Sequence, residues 1–363
     1  MATGGSLPQG AAMGAEPSTL GRKLQGTPPL ISVIVPCYNM EPWAERCIGS
    51  LLAQHYANLE IIAVNDCSTD GTGALLDRLA LKDDRVKPLH LPANGGLHAA
   101  RQAGFNVARG DLIGFVDADD HVGPDMYASL AGALQRTGAD MALCGHRGIR
   151  GDGTVQRHHD YGKEAVLEDR LLERFAQGEF GSGVIWSKLY RRHIIQPGME
   201  LALDRRLDSG ADYIVGVGCF TKAHRVTTVP GTPYHYALRA ESMSMSMQAA
   251  RAFVFLLDCY TACLEVYARE PEAVLHQVDT LYQRQLRFNG YRVAQAEDLL
   301  PHRAYLAEVV AHLGQVRPQA LYGLVHTFDP VVQPTAPQRA RYHLGQVRRS
   351  LAKALHALSQ GRA

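Results

Sequence analysis

Residues 110–122 read GDLIGFVDADDHV. Leu112 to Val116 is apolar apart from Gly114, and it runs straight into Asp117, Asp119 and Asp120. A short run that is apolar at both alternating positions fits a strand covered on both faces, as in a parallel sheet between layers of helices. Three carboxylates crowded at its end repel one another, and they are tolerated when a divalent cation sits among them.

Moving outward, the same rhythm repeats from residue 31. ISVIV is a β-branched run, and the helical stretch EPWAERCIGSLLAQHY follows with Pro42 near its start. LEIIAV predicts the second strand, and STDGTGALLDRLALKDD the second helix with Ser68 or Asp70 as cap. VKPLHL, LHAARQAGFNVAR, DLIGFV, PDMYASLAGALQRTG and ADMALCG continue the alternation to a fifth strand. Strands alternating with helices predict parallel pairing through right-handed crossovers, an α/β sheet of the doubly wound kind. Ligands of such sheets sit beyond the carboxyl ends of the strands. Three polar clusters fall there: PCYN after the first strand, NDCSTD after the second, and DADD.

After residue 145 the pattern changes. RGIRGDGTVQRHH predicts a hairpin or loop around Gly151 to Thr154, LEDRLLERFAQGEF a helix, GADYIVGVGCFTKA a buried helix and RVTTVP a strand. From about residue 249 the composition favours helix. In the tail no Asp or Glu follows Asp329, while Leu344, Val347, Leu351, Leu355 and Leu358 share one helical face. Such a basic amphipathic helix either lies on an anionic membrane surface or packs its leucines on the domain, the second being the simpler reading.

The totals exclude several classes. With 363 residues and 46% apolar content the chain can bury a large core, and a net charge of +1 gives no general attraction to nucleic acid. No run of ~18 apolar residues exists to span a bilayer. Residues 1–29 lack a signal-peptide core and read as a flexible leader. Seven cysteines, an odd number without C-x-x-C spacing, suit reduced thiols and a cytoplasmic protein; Cys259 and Cys263 read as core. No G-x-G-x-x-G follows ISVIV, which argues against a nicotinamide enzyme, and PCYNMEPWAERC lacks the Gly-rich loop and lysine of a nucleotidyltransferase.

In combination, ISVIVPCYN, VNDCSTDGT, NGGLHAARQAG and GDLIGFVDADD, in that order, resemble glycosyltransferase family 2, enzymes of the GT-A fold that use nucleotide-activated sugars. The similarity covers residues 31 to about 145 closely and runs more loosely through WSKLY, SGADYIVGVGCF and YHYALRAESMSM to about 246. It implies a Rossmann-like, mostly parallel sheet flanked by helices. The nucleotide-binding half would span 30–145, the acceptor half 146–248, and a helical extension 249–363.

The resemblance also assigns roles. Pro36 and Tyr38 would lie against the base, and Asp66 would accept from a uracil imide, implying a UDP-sugar. Gly95 and Gly96 would form a tight turn, and Arg101 would fork onto the nucleotide. Asp117 would approach ribose or metal, Asp119 would hold Mn²⁺ or Mg²⁺ against the diphosphate, and His235 would approach the same ion. Asp212, in SGADYIV, would be the general base of an inverting displacement, with Asp204 and Asp208 as substitutes. Trp186 and Lys188 would shape the cleft for a saccharide or lipid-linked acceptor, and Ser242 and Ser244 would sit on a closing lid. Three departures from the family pattern stand out: Ala211 for the usual glutamate, His98 for a small hydroxyl residue, and Gln102 for asparagine. Ala211 leaves open a catalytically inert sugar-nucleotide-binding protein or scaffold.

Overall fold

The computed structural model describes residues 28–203, 205–207, 210–239, 249–290 and 302–325. The leader up to residue 27, Asp204, Asp208, the segment with Ser242 and Ser244, and the basic tail lie outside the described residues.

The first half alternates as expected: β1 (Ile31–Cys37), α1 (Glu41–Leu52), β2 (Leu59–Asn65), α2 (Thr72–Ala80), β3 (Val86–His90), α3 (Leu97–Val107) and β4 (Leu112–Phe115). β1 pairs in parallel with β2 and with β4, and β2 with β3. All seven residues of β1 are buried because both faces are covered. Ile31, Val33 and Val35 pack with α1 and α2 on one side, and Ile34 joins α3 on the other. Gly104 lets α3 seat that closely, since a Cβ there would stand 2.6 Å from Ile34 Cγ2.

Beyond β4 come β5 (His121–Val122), α4 (Met126–Thr137), β6 (Met141–Leu143), β7 (His146–Arg150), β8 (Val155–His159), β9 (Ala165–Leu167) and α5 (Leu171–Gln177). β10 (Lys188–Arg191), α6 (Arg192–Met199), α7 (Ala211–Lys222), β11 (Val226–Thr228) and β12 (Tyr234–Leu238) follow. Of the hairpin or loop expected around Gly151 to Thr154, β7 and β8 form the hairpin. One element departs from the simple alternation. β6 does not pair with β4; β10 inserts between them and is antiparallel to both. The eight-stranded order is β3-β2-β1-β4-β10-β6-β11-β9, a mixed and mostly parallel sheet. A smaller sheet, β5-β12-β7-β8, stands beside it.

The C-terminal helices α8 (Ala249–Val266), α9 (Glu272–Gly290), α10 (Arg303–Val316) and α11 (Pro318–Val325) follow. Phe253, Leu257, Tyr260 and Cys263 of α8 belong to the same apolar cluster as Ile214, Val215 and Phe220 of α7. These helices therefore cover one face of the large sheet. Cys259 and Cys263 are fully buried there as free thiols. No helix among the described residues is long and apolar enough to cross a membrane.

Candidate active site

A cleft of about 640 Å³ opens at the carboxyl ends of β1, β2 and β4. Pro36, Tyr38, Asp66, Arg101, Asp117, Asp119, Trp186 and Asp212 all line it, so residues spread over 177 positions meet at one place. Lys188 and His235 are not in its wall.

One end is built by short polar side chains on backbone amides. Asn39 Oδ1 accepts from Thr69 N at 2.9 Å, Ser68 Oγ from Asn39 N at 3.0 Å and Thr72 Oγ1 from Met40 N at 2.7 Å. Asp70, one of the two expected caps, accepts from Thr72 N at 3.0 Å in the first turn of α2. These bonds stitch the loop after β1 to the loop after β2. Asp66 accepts from Gly95 N at 2.8 Å and Gly96 N at 2.9 Å, fixing the turn before α3. Gly96 has φ 85°, a left-handed value that glycine adopts without strain. Asp66 thus holds this loop, with a second lone pair left on each oxygen. Tyr38 is 45% exposed at the mouth of the cleft.

The other end is built by ion pairs. Arg101, whose side chain is 2% exposed, bridges Asp117 Oδ1 at 2.8 Å and Asp212 Oδ1 at 2.6 Å. Its fork is therefore spent on two carboxylates and is not presented to a nucleotide. Burial pushes the Asp117 carboxyl up to about 6 against the pull of Arg101, and the charges of Asp119 and Asp212 add to the rise. Asp212 stands in the first turn of α7, and its Oδ2 accepts from Ile185 N at 3.2 Å. Ala211 turns into the apolar cluster and not into the cleft.

DADD does not continue as a strand. Asp120 N bonds back to Asp117 O at 3.0 Å, and this turn, not strand alternation, leaves Asp117 and Asp119 facing the cleft together. Asp120 is fully buried and accepts from Tyr234 Oη at 2.6 Å and Ala237 N at 2.7 Å. Burial, with Asp119 and Asp117 nearby, pushes its carboxyl well above the usual range. Asp119 is paired with Arg239, whose guanidinium lies 3.9 Å over the Trp43 ring. The crowding is thus relieved three ways: Arg101 for Asp117, Arg239 for Asp119, and hydrogen bonds that fasten Asp120 to β12.

A hard divalent cation is commonly held by one or two carboxylates together with substrate phosphates. Among the described residues no three His, Cys, Asp or Glu side chains converge to hold one unaided. Asp119 fits as a single protein ligand once Arg239 leaves it; Asp120 does not, because its oxygens are committed within the fold.

Residues 32–197 match the model of Glycosyl transferase family 2. This segment belongs to glycosyltransferase family 2. EpsJ of Bacillus subtilis, named an uncharacterized glycosyltransferase, is 33% identical over 219 residues, covering 60% of this chain and 63% of EpsJ, which is under two thirds of that protein's length. The succinoglycan biosynthesis protein ExoO of Rhizobium meliloti is 28% identical over 276 residues, covering 74% of this chain and 75% of ExoO. The crystal structure of Staphylococcus aureus TarS 1–349 in complex with UDP-GlcNAc superposes with a TM-score of 0.62 at 23% identity, over 83% of this chain and 89% of that one. At that identity the likeness speaks for the GT-A-like fold alone.

Within the family 2 framework, two expected residues stand elsewhere. Lys188 is buried under the loop between α5 and β10, donating to Val184 O and to Ser182 O at 3.3 Å. Burial lowers its ammonium to about 8 against the favourable charge of Asp212. His235 points to the far side of the small sheet, with its ring centroid 4.6 Å from that of His121. Trp186 does reach the cleft, but as part of a column, stacked at 4.4 Å on Tyr234 and 5.7 Å from Tyr236. The missed residues are Arg239 and Arg206, the latter lining the cleft and donating to Asn94 Oδ1 at 2.9 Å. Arg239 lies inside the quoted YHYALRAESMSM, so the only signal for it was position within a motif.

Proposed function

We propose that the protein transfers a sugar from a UDP-sugar to a hydroxyl of a glycan or lipid-linked acceptor with inversion, in the synthesis of a surface polysaccharide or related polymer. The observation that carries this reading is the Asp117–Arg101–Asp212 bridge inside a cleft whose other end presents Tyr38 and Asp66. The names of ExoO and of TarS, a poly(ribitol-phosphate) beta-N-acetylglucosaminyltransferase, support the class of product.

In this reading Tyr38 offers its ring to uracil and Asp66 a carboxylate oxygen to the imide N–H. Arg101 fixes one oxygen of Asp212, and the Ile185 amide contacts the other. A carboxylate held this way accepts the acceptor's proton as the acceptor oxygen bonds the anomeric carbon and the bond to the diphosphate oxygen breaks. Because the base removes the proton as the acceptor attacks opposite the leaving group, one displacement inverts the configuration. Mn²⁺ or Mg²⁺ on Asp119 would offset the charge that develops on the departing diphosphate. Arg239, released from Asp119, is placed to do the same.

The test is UDP release from UDP-sugars with and without acceptor glycans. Asp212→Asn should keep UDP binding and lose transfer by about 10²–10⁴-fold. Full transfer by that variant would move the base elsewhere. The second reading, an inert nucleotide-sugar-binding protein, is favoured by Ala211; thermal stabilisation by UDP-sugars with no turnover under any donor would establish it.

A further inference from the structure

On the face of the small sheet turned away from the cleft, one row of side chains crosses all four strands. His121 of β5 is in register with His235 of β12, His235 with Arg147 of β7, and Arg147 with His158 of β8. Strand alternation separates this row from Tyr234 and Tyr236, which stack on Trp186 on the opposite face. Every member of the row is a nitrogen base.

The middle of the row is unsatisfied. His121 Nδ1, both ring nitrogens of His235 and Arg147 Nε are buried without a hydrogen-bond partner among the described residues. Buried polar atoms nearly always find partners, so four orphans in neighbouring side chains point to an absent group. The charged side chains acting on both imidazoles are Arg147 and Arg46 of α1, with no carboxylate among them. Two histidines alone do not make a transition-metal site: no third ligand converges there among the described residues, and two guanidiniums repel a cation.

We propose that this row binds phosphoryl groups of the acceptor, so that the hydroxyl-bearing substrate is a phosphodiester-linked or otherwise phosphorylated chain. Guanidinium and imidazole N–H groups are donors suited to phosphate oxygens, and Arg presents them as a fork. Strand spacing of ~4.8 Å makes the row roughly 14 Å long, more than one phosphate fills and enough for successive phosphates of a chain. The row is tied to the cleft through Arg46 and the chain itself: Arg46, whose charge acts on both imidazoles, donates to Asp119 O at 3.0 Å, and His121 follows Asp119 by two residues. Naming the acceptor rests on the transferase reading above; binding of phosphate does not.

The test uses the full chain with its donor cleft saturated by UDP. Inorganic tripolyphosphate, titrated calorimetrically, should bind saturably, and Arg147→Gln should weaken it by about tenfold with UDP affinity unchanged. His158→Glu, at the exposed edge of the row, is the second variant; it opposes the anion while leaving the buried middle of the row intact and should weaken binding in the same direction. Tripolyphosphate that only competes with UDP, or that binds both variants as the parent, overturns the site. A glycerol-phosphate oligomer that accelerates UDP release from UDP-sugars, an effect lost in Arg147→Gln, assigns the row to the acceptor. Phosphate binding with no response to the oligomer, or selective retention of the parent on phosphatidylglycerol vesicles instead, overturns that assignment while leaving the transferase reading to stand on its own donor assay.

Discussion

The two ends of the cleft are held in different ways. At the Tyr38 end, Asn39, Ser68, Thr72 and Asp66 fasten backbone amides through short side chains within two adjacent loops and the turn before α3. At the Asp212 end, long cationic side chains span the sequence: Arg101 joins positions 117 and 212, and Arg239 reaches back to Asp119. Short side chains on amides lose little entropy and hold one geometry. Ion pairs made by long side chains can exchange partners when a charged ligand arrives, as Arg239 can on Asp119. The contrast suggests a preformed surface for the base and a rearranging surface for the diphosphate. Substitutions at one end should therefore change binding, and at the other end turnover.

The largest effect should come from Arg101→Met. It leaves two carboxylates facing each other in a buried setting, so chemical denaturation should show a loss of about 3–5 kcal/mol. Transfer should fall by at least about 10³-fold, since Asp212 loses its orienting partner. Wild-type turnover in Arg101→Met would break the comparison outright.

Lys188→Met should be next. The ammonium holds the 182–184 loop, and Ile185 in the same loop donates to Asp212. Turnover should drop by about 10–100-fold while KM for the donor stays put. A rise in KM alone would put Lys188 at the nucleotide end.

Asp117→Asn tests the same end through pH. The carboxyl of Asp117 is raised from 3.8 to about 6, chiefly by burial. Between those values the folded protein holds a proton that the unfolded chain has released, so this group's contribution to stability falls as pH rises through about 6. Urea midpoints measured from pH 4 to 7 should show that decline in the parent and a flatter profile in the variant. Identical profiles would mean that Asp117 is ionised throughout.

Much of this architecture is visible in residue order because the deciding signals are local. β1, β2 and β4 are short apolar runs with polar residues at their carboxyl ends, and that pattern alone puts PCYN, NDCSTD and DADD at one edge. β10 was hidden because SKLYRR mixes a lysine and two arginines with apolar residues, and its place between β4 and β6 depends on pairing with distant strands. The resemblance puts Lys188 of WSKLY in the acceptor cleft; the carbonyls that instead satisfy it belong to a loop whose course the sequence does not declare. The partners of Asp117 and Asp119 were equally illegible, being 16 and 120 residues away.

The smallest effect, and the sharpest check on the preformed end, is at Asn39. Its φ of 53° is left-handed, a conformation asparagine tolerates better than most residues with a Cβ. Its Oδ1 also accepts from Thr69 N at 2.9 Å, so one residue supplies both the backbone turn and the bond between loops. Asn39→Gly keeps the turn and removes the bond, which should cost about 0.5–1.5 kcal/mol of stability. Asn39→Ala removes the bond and strains the turn, adding about 1–2 kcal/mol. Both should weaken UDP binding about 3- to 10-fold by letting the Tyr38 loop drift, with kcat unchanged at saturating donor. If Asn39→Ala lowers kcat as Lys188→Met does, the two ends are coupled through the sheet and the division between binding and turnover fails.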